Sequence, residues 1–165
     1  MKQLHRKKNL VIGLGNPLSR DDAFGGMVLA RLEEDQAGTP PLDADLVRAD
    51  TDLLSQIDRF SEYIRVILVD AILDPSGNSR PPGTVVALEE KEFLSWPETA
   101  SGAHQISPVV AVKLFRKLQP QANTRIALVG CCTDRVTMKR SEADELDERI
   151  VDEAVRLVRS LLSGP

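Results

Sequence analysis

Three stretches of the chain are apolar runs bounded by turn residues: Leu10-Val-Ile-Gly-Leu14, Tyr63-Ile-Arg-Val-Ile-Leu-Val69 and Arg125-Ile-Ala-Leu-Val-Gly130. Each predicts a buried strand. Asp45–Ala49 predicts a weak strand and Thr84–Leu88 a further one. Between them the period changes. After Asp21-Asp22, positions Gly25, Val28, Leu29 and Leu32 fall on one helical face, and Glu33–Leu42 reads as a polar break. A short helix is expected around Leu53–Ile57, and residues 91–106 show no clear period. Ser107-Pro108 has the form of an N-cap followed by proline at the first helical position, opening a helix over Val109–Leu118 that stops before Pro120. A last helix is expected over Ser141–Leu162, with Ile150, Ala154, Val158 and Leu161 as its buried stripe and seven acids in its first half.

Strands and helices therefore alternate, and the strands are continuous apolar runs. Strands buried on both faces belong to a mainly parallel sheet between helix layers, so the fold class is α/β, a three-layer sandwich. No internal repeat or linker divides the sequence, and residues 1–165 are expected to form one domain. Lys2, Arg6, Lys7 and Lys8 make residues 1–8 a basic tail; the apolar stretch that follows is too short for a signal peptide.

Composition narrows the function. A formal net charge of −4 lacks the basic surplus that phosphate binding requires, so no nucleic-acid partner is expected. No apolar run reaches the roughly 18 residues of a membrane span. Cys131 and Cys132 are too few for a C-x-x-C pair of motifs and, as neighbours in a strand, point to opposite faces, so two reduced, small apolar side chains are expected. The protein has only two histidines, His5 in the basic tail and His104, so any imidazole chemistry has almost no choice of residue.

In such a fold the working site lies beyond the carboxyl ends of the strands. That rule selects the segment from Gly15 to Asp22, Asp50-Thr51, Asp70, the segment holding His104, and Cys131–Asp134. Gly13-Leu-Gly-Asn16 lacks the third glycine of a dinucleotide cradle, Leu18 standing in its place, and reads as a tight, closely packed turn pinned by Asn16. One acid of the Asp21-Asp22 pair suffices to cap the following helix; capping is assigned to Asp21, leaving Asp22 to face the crevice. Asp70 follows an apolar run and either accepts amide hydrogen bonds or serves as a metal or acid–base group. His104, just before the Ser107 cap, is either an ordinary surface residue or the third member of a site at the same rim. Two carboxylates and an imidazole suit a divalent transition metal. Neither H-E-x-x-H nor G-x-S-x-G occurs.

Gly13-Leu-Gly-Asn-Pro-Leu-Ser-Arg-Asp-Asp-Ala-Phe-Gly25, Val69-Asp70-Ala71 and His104-Gln105 leading into Ser107 together resemble the hydrogenase maturation proteases, in order and spacing, from about Leu10 to Leu162. The resemblance implies a phosphorylase/hydrolase-like α/β sandwich and a cytoplasmic, aspartyl-type endopeptidase that removes a C-terminal extension from the large-subunit precursor of a nickel–iron hydrogenase. It implies that Asp22, Asp70 and His104 are the metal-contacting and catalytic residues, and that the nickel is supplied by the substrate, with no permanently bound cofactor. The small size makes a monomer the expectation. Family members commonly carry a Gly-Gly-Thr-type loop after the second strand; here the stretch is Ala49-Asp50-Thr51-Asp52, without a glycine to take positive φ freely.

Three other readings compete. Gly13-Leu-Gly-Asn-Pro17 also looks like the opening of peptidyl-tRNA hydrolase, an esterase, but no second histidine follows that motif before His104. A nucleotide-binding module would have to manage without the third glycine. A catalytically inactive protein that only binds a hydrogenase subunit would not need the complete acid–acid–histidine set.

Overall fold

The computed structural model describes residues 7–16, 18, 23–36, 41–73, 80–98, 106–133 and 148–164. The strands are β1 (Lys7–Leu14), β2 (Asp45–Asp50), β3 (Tyr63–Leu73), β4 (Val85–Glu89) and β5 (Arg125–Thr133), and the helices are α1 (Phe24–Gln36), α2 (Glu90–Leu94), α3 (Pro108–Leu118) and α4 (Glu148–Ser163). A 3-10 helix, Leu54–Glu62, leads into β3.

The strands form one sheet in the order β2-β1-β3-β5-β4. β2, β1, β3 and β5 are parallel, and β4 closes one edge antiparallel to β5. One face buries Leu10, Ile12, Leu68 and Leu128 against residues of the 3-10 helix, α2 and α3, including Phe60, Phe93 and Phe115. The other buries Val11, Ile67, Val69 and Val129 under Phe24 and Leu29 of α1 and Ala154 and Val158 of α4. This is the three-layer α/β sandwich expected from the continuous apolar strands.

Several boundaries differ from the sequence expectation. β1 begins at Lys7, so the last two residues of the expected tail are strand residues; they stay exposed and pair with Asp45 (2.8 Å) and Asp43 (2.9 Å). α1 runs on to Gln36, into the first residues of the stretch read as a break. Within the stretch that shows no clear period, Glu90–Leu94 is a helical turn closed by a capping box between Glu89 and Glu92 that anchors buried Phe93. A single turn is too short to show a 3.6-residue period. The stripe of α4 is centred on Val151, Ala154, Val155 and Val158, whereas Ile150 and Leu161 are only partly buried. Residues 141–147, with four of the seven acids, lie outside the described residues. Cys131 and Cys132 are both free and buried, one in each core, as strand alternation requires. Among the described residues, no helix is long and apolar enough to cross a membrane.

Candidate functional site

The order β2-β1-β3 makes a switch point. From β1 the chain crosses through α1 on one face to β2, then returns through the 3-10 helix on the other face to β3. Connections that diverge in this way leave a crevice beyond the carboxyl ends of β1 and β3, where open α/β sheets bind ligands. Gly13 and Val69 are partners in the parallel ladder, so the end of β1 lies beside Asp70.

Asp70 does not follow the strand, as the sequence suggested, but lies within it: β3 continues through Ala71 and Ile72 to Leu73. Pairing with Cys131, Cys132 and Thr133 on β5 carries the strand three residues past the acid. Asp70 is half-buried. By alternation it shares a face with Leu68 and Ile72, the face covered by α3. Its ladder partner is Gly130, and the space that a side chain there would occupy is taken by Ile72, whose Cδ1 lies 2.5 Å from the position of an added β-carbon.

α3 approaches the same rim. Its last residues lead through Thr124 to β5, and the Thr124 hydroxyl donates to the carbonyls of Phe60 (2.9 Å) and Tyr63 (3.0 Å) at the amino edge of the sheet. The start of α3 therefore points to the carboxyl edge. Ser107 caps it through a bond from the Val110 N–H (3.2 Å), with Pro108 at the first helical position, as expected.

The loop after β1 begins with Gly15 at φ +118°, a conformation that glycine adopts without strain. The Asn16 side chain accepts from the Leu18 N–H at 2.9 Å and so pins the turn as expected. The Gly15 N–H donates to the Asp50 carbonyl at 2.8 Å, tying this loop to the end of β2. Asp50 itself has φ +48°. Positive φ was not expected in Ala49–Asp52, which has no glycine. Aspartate is among the few other residues that tolerate this region, and the bond to Gly15 holds it there.

Asp21, Asp22 and His104 lie outside the described residues. Among the described residues, no three His, Cys, Asp or Glu side chains come together in a group that could hold a metal ion.

The structure adds one feature that the motif reading missed. Between α1 and the end of β2 lies an open cleft of about 250 Å³, with Gly26 and Met27 on the helix side, Arg48 and Asp50 on the strand side and Gly15 at the end nearest the crevice. The sequence signal was the doubled glycine, Gly25-Gly26, inside a helical pattern.

This α/β sandwich is similar in fold to solved hydrogenase maturation peptidases. HycI, a NiFe hydrogenase maturation protease from Thermococcus kodakarensis, is similar over 97% of this chain and 95% of its own, with a TM-score of 0.66 and 22% identity. HybD, a hydrogenase maturating endopeptidase from E. coli, is similar over 94% and 91%, with a TM-score of 0.70 and 19% identity. A hydrogenase 2 maturation peptidase from a Thaumarchaeota archaeon is similar over 95% and 99%, with a TM-score of 0.61 and 27% identity. No family model matches the chain, and no curated protein matches it in sequence.

Proposed function

We propose that this protein is an endopeptidase that removes a C-terminal extension from a nickel-loaded hydrogenase large-subunit precursor. The observation that carries the reading is the half-buried carboxylate of Asp70 at the β1/β3 switch point, in a fold shared almost end to end with hydrogenase maturation peptidases.

Asp22 and His104 complete the site with Asp70. Chain geometry supports this. Asp22 is three residues before Gly25, which packs against Leu14 and Val69 beside Asp70. His104 is three residues before Ser107, the cap of the helix that opens at the same rim. Two carboxylates and an imidazole are a donor set suited to a divalent transition ion, and here the ion arrives seated in the substrate. Nickel presented this way positions the precursor and supplies Lewis-acid polarisation. Asp70, sheltered on one side by the sheet, takes a proton from the attacking water as its oxygen adds to the scissile carbonyl. It returns that proton to the leaving nitrogen as the C–N bond breaks, which releases the C-terminal peptide as a free amine. The activity is thus of aspartyl type, with no resident cofactor. The protein works as a monomer in the cytoplasm, where two buried free thiols remain reduced.

The test is incubation with nickel-loaded and nickel-free precursor, followed by mass spectrometry of the large subunit. A short C-terminal peptide is lost only when nickel is present. Intact precursor after incubation with nickel-loaded subunits from the same source overturns the reading.

A further inference from the structure

Gly25 and Gly26 are neighbours at the start of α1 with opposite reasons for lacking a side chain. A β-carbon on Gly25 would lie 2.2 Å from the Leu14 carbonyl oxygen and 2.5 Å from that of Val69, so packing excludes any other residue. A β-carbon on Gly26 would meet nothing within 4 Å. Packing does not explain Gly26, and glycine weakens a helix relative to alanine. What Gly26 does is keep open the cleft between α1 and β2, whose inner end is Gly15, the first residue of the loop beside the crevice.

The far wall supplies chemistry. Arg48 and Asp50 are two apart on β2, and both line the cleft. One guanidinium nitrogen of Arg48 is paired with Glu33 at 2.7 Å. The ladder with β1 is irregular between Arg48 and Asp50, Gly13 standing opposite Arg48 and Leu14 opposite Asp50, so a bulge at the end of the strand turns both side chains into the cleft. There the cation offers a donor for a peptide carbonyl and the anion an acceptor for a peptide N–H. β2 is also the edge of the sheet. On the opposite wall Met27 is 38% exposed, an adaptable apolar surface.

We infer that this cleft is the subsite for an extended segment of the protein substrate, and that Gly26 determines specificity by leaving room for a substrate side chain beside Met27. The inference rests on the peptidase reading and names how the same site holds its polypeptide.

The experiment compares wild type, Gly26→Leu, Gly26→Ala and Leu118→Ser for binding and cleavage of nickel-loaded precursor, with a thermal melt of each. Leu118, 59% exposed on the last turn of α3, is the control. Gly26→Leu keeps its Tm and raises both Kd and KM at least tenfold with kcat nearly unchanged, because the cleft binds and does not react. Gly26→Ala melts at or above wild type with a smaller rise in KM, and Leu118→Ser behaves as wild type. Unchanged Kd and KM in a folded Gly26→Leu overturn the inference while leaving the peptidase reading standing. If wild type binds but does not cleave, the peptidase reading fails, and weaker binding by Gly26→Leu still supports the cleft. Absence of binding by wild type overturns both.

Discussion

Gly13 and Gly25 meet face to face where β1 runs under α1: a β-carbon on Gly13 would lie 2.6 Å from the carbonyl oxygen of Gly25. This contact sets the height of α1 above the sheet and so where the loop between them leaves the β1/β3 crevice. Gly13→Ala or Gly25→Ala forces backbone apart and lowers unfolding free energy by about 3 kcal/mol or more, read as a fall in the urea midpoint. Gly26→Ala, one residue on, gains about 0.5–1 kcal/mol in the same assay.

Asp70→Asn, Asp22→Asn and His104→Ala each reduce processing of nickel-loaded precursor by about 100-fold or more, the scale of a lost acid–base group. Asp21→Ala retains processing and costs about 0.5–2 kcal/mol as a lost helix cap. Initial cleavage rates beside thermal melts separate the two outcomes. Loss of activity in Asp21→Ala with full activity in Asp22→Asn reverses the assignment within the pair.

Stability depends on pH at the amino edge of the sheet. Asp45 accepts from the Lys7 ammonium (2.8 Å) and from the Tyr63 hydroxyl (2.6 Å), and these bonds hold its carboxyl below the usual carboxylate range. A lowered folded pKa adds stability above the unfolded value of about 4 and loses it as pH falls through the folded value. Asp45→Asn therefore melts below wild type at neutral pH, and the two melting curves converge as pH drops below about 4. A Tm difference that persists at the acid end rules out this linkage.

Both thiols are expected to be unreactive in the native protein. Cys131 and Cys132 are buried, and burial, with the neighbouring Cys132, pushes the Cys131 thiol up to about 11. The thiolate is the reactive form, so a disulfide reagent titrates no thiol in buffer and both in denaturant.

The sequence made the architecture legible because the strands are buried on both faces: Leu10–Leu14, Tyr63–Val69 and Arg125–Gly130 could only be core strands. Proline and serine at 107–108 announced the start of α3 for a local reason, the capping of its first turn. The single turn Glu90–Leu94 was not legible, since its stability comes from a capping box and the burial of Phe93. Nor was the length of β3. Nothing local distinguishes a strand that stops at Val69 from one that passes Asp70, because the extra residues are held by their ladder with β5.

By itself, then, the sequence determined the α/β class and the opposite faces of the two cysteines, which follow from residue type and period, and through its motifs it nominated Asp22, Asp70 and His104 as candidates. Only the tertiary structure decided that Asp70 lies inside its strand beside the end of β1, that Asp50 takes positive φ without being glycine, and that Gly25 is closed by packing while Gly26 is open. These depend on partners 11 to 60 residues away in the chain, as in the packing of Gly25 on Leu14 and the ladder from Asp70 to Gly130, and no local pattern encodes a partner's position.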